Sequence, residues 1–386
     1  MLLLILSLGG FAASMAARIV DPLVTAIAAD FIMPVATVAL LASAYTLPFS
    51  FSQPLLGPVG DTIGKSLMIR CALSLMAVFL LASAFAPNFM SLFWARVFAG
   101  MVGAGIIPLS FALIGDTFPI AVRQVAMSRF LASTLVGQLV GSSTAGILAE
   151  WIGWRWVLGL SALMALLAAL AALFWLPRST QAAQPLDISD ILARYRKVLN
   201  NPRSYICFTS VFLEGGAIYG ITPFIGDLMQ QRSIGGLREA GFAVAGIGLG
   251  GLLYTVMVPM ILKVATRPQM MRAGGILAGL SLMGLSFPLN AMSVAGVMVF
   301  LGIGFFLMHN SIQTEVTELL PAARASCFAL HAFSFYLGQS VGPVLYGQSL
   351  SRFGLQPSVL AGGAVLIAVG FGINFMLGRY PAKAEA

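Results

Sequence analysis

Apolar runs recur from one end of this 386-residue chain to the other, and most exceed the roughly 18–20 residues that a helix needs to cross a bilayer. In lipid, every backbone N–H and C=O must find its partner inside the protein, which leaves helices or closed barrels. The runs lack the period-two alternation of barrel strands, so membrane-spanning helices are expected. Composition bears on the same point. Hydrophobic residues make up 59% of the chain and charged residues 9%, against about 25% charged in a soluble domain, too few to cover a water-facing surface. Cys71, Cys207 and Cys327 lie far apart and form no C-x-x-C or Cys/His spacing, so apolar packing is expected of them and no metal or other cofactor. The formal net charge of +8 comes without a basic run interleaved with aromatics, which argues against nucleic acid. Met1 to Ala17 ends in small residues like a signal peptide but has no basic leader. Apolar sequence continues past Arg18 and Asp21 to about Phe31, so it reads as a first span, leaving open whether a tail precedes it.

Expected spans are 3–30, 35–58, 66–86, 91–116, 126–149 and 155–176, then 205–228, 240–263, 270–288, 293–317, 326–350 and 357–378. The longest polar stretch, 177–204, separates the two sets. Asp187, Asp190, Arg194, Arg196 and Lys197 within it suggest a linker with a short amphipathic interfacial helix. Lys65, Arg70, Arg123, Arg194, Arg196, Lys197, Lys263, Arg267 and Arg324 fall in loops on one side, while Arg155, Arg232, Arg238 and Arg352 fall on the other. The positive-inside bias therefore places both termini in the cytoplasm. An internal repeat sharpens this picture. A shift of 202 residues superposes Lys65 on Arg267, Arg70 on Arg272, Asn88 on Asn290, Gly100 on Gly302 and Asp116 on Glu318; a shift of 201 superposes Arg123 on Arg324, Gly137-Gln138 on Gly338-Gln339 and Gly141 on Gly342. The expected fold is an all-α membrane protein of twelve transmembrane helices in two pseudo-symmetric six-helix bundles, with a first half at 1–176, a linker at 177–204 and a second half at 205–386.

Between spans two and three the chain reads Gly57-Pro58-Val59-Gly60-Asp61-Thr62-Ile63-Gly64-Lys65. This resembles the G-x-x-x-D-R-x-G-R/K signature of the major facilitator superfamily, with Thr62 in place of the usual Arg and, in the second half, Lys263 where Asp61 would recur. Arg96-x-x-x-Gly100-x-x-Gly103-x-Gly105 is similar to the fourth-span motif of proton-coupled members. Gly137-x-x-x-Gly141-x-x-x-x-Gly146 is similar to the fifth-span signature of antiporters, with Ser142 replacing its proline, although Gly342-Pro343 keeps that step in span eleven. The resemblance is closest to bacterial drug or sugar efflux permeases. It implies a monomeric secondary transporter of the bacterial inner membrane, working by alternating access on a small-molecule substrate with protons and lipid as its other partners. It also assigns a conformational-gate role to the loop of Gly57, Asp61, Gly64 and Lys65.

Charge inside the bilayer is costly, so each instance is informative. Arg18 and Asp21 share one face of span one, and Asp21 lies nine residues below Asp30, about 13 Å deep at the helical rise. Arg96 lies at similar depth on span four. The three form either a cluster in which Asp21 changes protonation or partner as the halves rock, or a permanent ion pair that fixes packing. Glu214 sits near the midplane of span seven beside Gly215-Gly216, a second candidate for holding a proton, or else a carboxyl hydrogen-bonded to a neighbouring helix. His309, Asn310 and Gln313 form a polar face on span ten, read as substrate contacts or as interhelical hydrogen bonds, and His331 on span eleven is read as packing. Tyr45 and Tyr219 are cavity candidates, with Gln53, Tyr254 and Gln339 as further possible liners. Asp116 and Glu318 are read as gate elements paired with Arg123 and Arg324.

The leading functional expectation is proton-coupled efflux of a small organic or amphipathic solute. The alternative is uptake or facilitated diffusion of a small metabolite, and a non-transporting membrane sensor is a remote third. No Ser/His/Asp, H-E-x-x-H or phosphate-cradling G-x-x-x-x-G-K-[ST] constellation occurs, so no enzyme is expected.

Overall fold

The computed structural model describes residues 1–177, 188–320 and 323–380; for Gly57, Pro58, Asp61, Ile120, Ala121, Gln124 and Asp190 it describes the backbone alone. The described residues form helices and no strand. Span one is α1 (Leu2–Arg18) continued through a 3-10 turn (Asp21–Leu23) into α2 (Val24–Phe31). Span two is α3 (Val35–Val38) and α4 (Leu40–Ile63). α5 (Lys65–Ala84) follows, then α6 (Phe89–Gly103) with α7 (Ile106–Thr117), and then α8 (Ile120–Trp175). After the linker helix α9 (Ile188–Leu199) the pattern recurs: α10 (Pro202–Ile221), a 3-10 turn (Thr222–Phe224), α11 (Ile225–Gln231), α12 (Leu237–Ile261), α13 (Arg267–Gly284), α14 (Ala291–Glu318), α15 (Arg324–Phe353) and α16 (Leu355–Arg379).

Among the described residues, nine helices are long and apolar enough to span a membrane, and one of them, Val125–Trp175, is 51 residues long. A 51-residue helix extends about 77 Å, twice what a bilayer requires. α8 makes both crossings by folding back at Gly153, whose φ of 77° and ψ of 159° are open to a residue without a Cβ. α13 and α15 are long enough but more polar; counted with the others, they are consistent with twelve crossings.

Four expectations are corrected in detail. No loop separates spans five and six; the chain is helical up to Gly153 and beyond it. The signature at 57–65 is not a loop either, because α4 runs to Ile63 and the turn is Gly64 alone, with φ 103°. α10 begins at Pro202, inside the expected linker. Cys71 is exposed, not packed, while Cys207 and Cys327 are buried.

The two bundles pack alike. In the first, α1 lies on α8 and α4 on α6, with α5 against both α6 and α8; in the second, α10 lies on α15 and α12 on α14, with α13 between α14 and α16. Close approaches recur at the repeat spacing. A Cβ on Gly137 would stand 2.5 Å from the Phe11 carbonyl oxygen, and one on Gly338 would meet that of Phe212. Gly141 faces the Met15 carbonyl and Gly342 that of Gly216; Gly100 faces Tyr45 and Gly302 faces Ile247. Small residues permit this contact in a medium where helices gain little from hydrophobic association. Polar features repeat too. Asn88 caps α6 through the Ser91 amide at 2.9 Å and Asn290 caps α14 through the Ser293 amide at 2.8 Å. Lys65 pairs with Asp116 at 2.7 Å and Arg267 with Glu318 at 2.9 Å. The acids Asp116 and Glu318 therefore bond across helices to these bases. Arg123 and Arg324, their expected partners, instead donate to the Phe118 and Thr317 carbonyls.

Between the bundles, α4 lies along α15 and α8 along α12. Tyr195 on α9 donates to the Pro54 carbonyl at 2.6 Å, tying the linker helix to the end of α4. Burial pushes the Tyr195 hydroxyl up from its usual range, so it keeps its proton for this bond.

Candidate functional site

Two prolines shape the centre of the molecule. Pro22 lacks an amide proton and opposes the carbonyl four residues back, so α1 ends at Arg18 and a 3-10 turn intervenes before α2. Pro223, at the equivalent place 201 residues on, does the same between α10 and α11. The two 3-10 turns touch across the boundary between the bundles, so residues related by the repeat face one another. Arg18 stacks over the ring of Tyr219, its own counterpart, at 3.8 Å. The Thr222 hydroxyl, counterpart of Asp21, lies 3.0 Å from the Asp21 carboxylate and 2.9 Å from the Tyr219 carbonyl, so its one proton can go to either. The Thr25 side chain abuts Gly226.

Arg18 approaches Asp21 at 3.6 Å, longer than the 2.7–2.9 Å of a charge-assisted hydrogen bond, and donates Nη2 to the Gln339 side chain of α15. Arg96 is fully buried; it donates Nη1 to the Ala16 carbonyl at 2.8 Å and lies 4.4 Å over the Tyr45 ring. Arg18 and Asp21 thus lie together and reach across to α10 and α15, while Arg96, the third of the expected trio, bonds α1 through Ala16 and makes no ion pair with Asp21 among the described residues. Among the described residues, Arg18 Nε, Asp21 Oδ1, Thr25 Oγ1, Arg96 Nε and Nη2, and Gln339 Nε2 are buried without a hydrogen-bond partner. Beside them is a cleft of about 10 Å³, room for roughly one water, lined by Arg18, Gln138, Ser142, Tyr219, Val244, Ile247 and Gly248.

A second cluster lies within the second bundle. Glu214 is fully buried on α10, and its Oε2 stands 2.8 Å from Nδ1 of His309 on α14. Two lone pairs would repel at that distance, so a proton lies between them, on nitrogen or on oxygen. The His331 ring is 5.1 Å from that of His309, and Phe305 and Phe335 enclose the histidine at 5.0 and 4.6 Å. Glu214 Oε1 and His331 Nε2 are buried and unpartnered. His309 therefore meets the carboxyl directly, and His331 packs behind it against the His309 ring.

The remaining candidates are more scattered. Tyr45 is buried, with its hydroxyl 3.4 Å from the Ala13 carbonyl inside the first bundle and its ring stacked on Phe49, which touches Tyr336 across the boundary. Gln53 is a packing residue, donating to the Ala104 carbonyl at 3.1 Å. Tyr219 lines the cleft. Asn310 is half-buried on α14, next to His309, and is not among the residues that line the cleft. Gln313 is half-buried on α14, one turn from His309. In the gate signature, the side chains of Gly57 and Asp61 lie outside the described residues, Gly64 makes the turn, and Lys65 bonds Asp116.

Sequence reasoning left Thr222 out and treated Gln339 only as a possible liner. The repeat held the signal for both, since Thr222 answers to Asp21 and Gln339 to Gln138. It also treated Glu214 and His309 separately, although each lies about 14–18 Å along its helix from the same end by residue count, a depth match that brackets their contact.

The family model described as Major Facilitator Superfamily matches residues 6–343. Among curated proteins, the chain is 25% identical to YwfA, an uncharacterized MFS-type transporter of Bacillus subtilis (strain 168), over 100% of its own length and 94% of that protein's. It is 22% identical to a multi-drug resistance efflux pump PmrA homolog of Lactococcus lactis subsp. lactis (strain IL1403), over 84% of the chain and 82% of the relative. Among solved structures, the nucleoside transporter NupG (D323A mutant) superposes with a TM-score of 0.80 at 15% identity, covering 97% of this chain and 100% of that one, a likeness of fold.

Proposed function

The chain belongs to the Major Facilitator Superfamily, and on that premise we propose that it is a proton-coupled secondary transporter that moves a small organic or amphipathic solute out of the cell by alternating access. One observation carries the coupling: Asp21, the carboxylate of the central cluster, binds Thr222 of the other bundle, and its neighbour Arg18 binds Gln339 there. A proton on Asp21 removes the negative charge from this central inter-bundle contact, so protonation and separation of the bundles are linked. Glu214, with His309 and His331, is the second proton-holding site. Efflux is supported by the likeness to the Lactococcus multi-drug resistance efflux pump PmrA homolog. In this reading residues 1–176 and 205–386 are the two rocking bodies, 177–204 connects them, Gly57, Asp61, Gly64 and Lys65 form a gate at one end, and both termini face the cytoplasm of a bacterial inner membrane.

Uptake is a second reading with its own support. Arg18 lies beside the Asp21 carboxylate and Arg96 is a second buried cation of the same bundle, so protonating Asp21 makes the centre more attractive to an anion, and proton and anion would then load together.

The test is reconstitution in vesicles with an imposed pH gradient, screening solutes while internal pH is recorded. Solute flux opposite in direction to the proton supports efflux, flux in the same direction supports uptake, and flux without any pH change overturns coupling. Asp21→Asn is expected to keep substrate binding and lose the pH change.

A further inference from the structure

The charge count at the centre has a chemical consequence for the substrate. Arginine side chains stay protonated in proteins, so Arg18 and Arg96 contribute two positive charges, each less than a tenth exposed. Asp21 supplies one negative charge, and from 3.6 Å. Glu214 does not balance the remainder, because it makes no ion pair with either arginine and its charged contact is His309 in the second bundle. The other titratable groups facing the cluster are the phenols of Tyr45 on α4 and Tyr219 on α10, each beneath a guanidinium, and Tyr336 on α15.

Hydrogen bonding is unbalanced in the same direction. Arg18 Nε, Arg96 Nε and Nη2, and Gln339 Nε2 are buried donors without acceptors among the described residues, and they outnumber the unpartnered Asp21 Oδ1 and Thr25 Oγ1 beside them. A buried donor left unmade forfeits its hydration, and a buried charge without a counter-charge forfeits more. Arg18 is at once charged, part-unpaired and on the wall of the cleft. Val244, Ile247 and the Tyr219 ring line the same cleft, surfaces that suit an apolar or aromatic body behind a charged head.

We propose that this cleft, opened as the bundles part, is the substrate subsite for an organic monoanion, a carboxylate or sulfonate on an apolar body, with Arg18 as the residue that touches the anionic group and Arg96 as the buried charge that keeps the site positive. The assignment rests on the transporter reading for its route and is independent of transport direction. Its test is direct binding to the purified full chain, followed by tryptophan fluorescence and thermal shift. Matched probes are benzoate and benzenesulfonate as anions, benzamide as the neutral form, benzamidinium as the cation, and chloride as the bare ion.

Benzoate and benzenesulfonate are expected to bind at least tenfold more tightly than benzamide and benzamidinium. Arg18→Gln removes that preference, and Arg18→Lys, which keeps the charge, restores part of it. Equal or tighter binding of benzamide or benzamidinium overturns the proposal, as does anion binding indifferent to Arg18→Gln in a protein that unfolds at the wild-type temperature. A site that takes chloride and excludes both aromatic anions is an ion site and overturns the substrate assignment. Failure of the transport reading is distinguishable: anion binding with no proton-linked flux keeps the subsite and removes the coupling, while proton-linked flux of cations alone does the reverse.

Discussion

At the scale of single residues, the centre is held by groups whose neighbours lie on other helices. Gln339 accepts from Arg18, and Gln339→Leu leaves that guanidinium without its acceptor; a hydrogen bond to a charged group contributes about 1.5–3 kcal/mol. The expected outcome is a lower thermal midpoint in detergent and weaker closure between the bundles, read by fluorescence of labels placed on α4 and α15. Glu214→Gln is nearly isosteric and can still bond His309, so the protein should unfold within a few degrees of the wild type. Proton movement per solute should fall measurably in the vesicle assay; an unchanged ratio would show that the Glu214–His309 contact is structural. Asp21, Arg18, Arg96 and Glu214 were legible in the sequence because a charge in an apolar run has to justify its desolvation. Thr222 was legible only through the repeat, as the counterpart of Asp21, since a threonine next to a proline is unremarkable in itself until the fold sets it opposite a carboxylate.

At the scale of elements, helix contact is governed by glycines set into the faces of α8, α15, α6 and α14. Gly338 lies against the Phe212 carbonyl with no space for a Cβ. Gly338→Leu should push α15 from α10 and lower stability by about 1–3 kcal/mol or more, the usual cost of overpacking. Gly372, where an added Cβ meets nothing within 4 Å, should accept alanine without loss; thermal unfolding of the two variants in one detergent checks the contrast. Helix ends were readable to within a few residues because Asn88, Asn290, Pro202 and Gly354 are caps and starters by their own chemistry. The turns were harder. A helix that proceeds through Gly57-Pro58-Val59-Gly60 looks like a loop by local propensity, and packing within a bundle overrides that preference.

At the scale of the whole molecule, the bundles meet along α4–α15 and α8–α12, and the turns of spans one and seven touch, as do Thr25 and Gly226. Alternating access requires that contact to open. In a background with Cys71, Cys207 and Cys327 replaced by Ser, the pair T25C/G226C should cross-link under mild oxidation and stop solute flux, with reductant restoring it; flux that continues while the cross-link is intact would exclude separation at this end. The repeat also explains why the centre is asymmetric in chemistry. Equivalent positions meet there as Arg18 with Tyr219, Asp21 with Thr222 and Thr25 with Gly226, so the first bundle supplies the charges and the second the neutral partners.

The sequence by itself determined the solvent, the helices, the repeat and the few side chains whose charge had no place in lipid, because these follow from local hydrophobicity, spacing and the cost of desolvation. The tertiary structure decided which of those side chains meet: that Arg18 reaches Gln339, 321 positions along the chain, that His309 meets Glu214, and that Arg96 is held by the Ala16 carbonyl. Such contacts depend on how helices and bundles are docked. That is a matter of shape and hydrogen bonding between distant segments, and no local pattern in the chain encodes it.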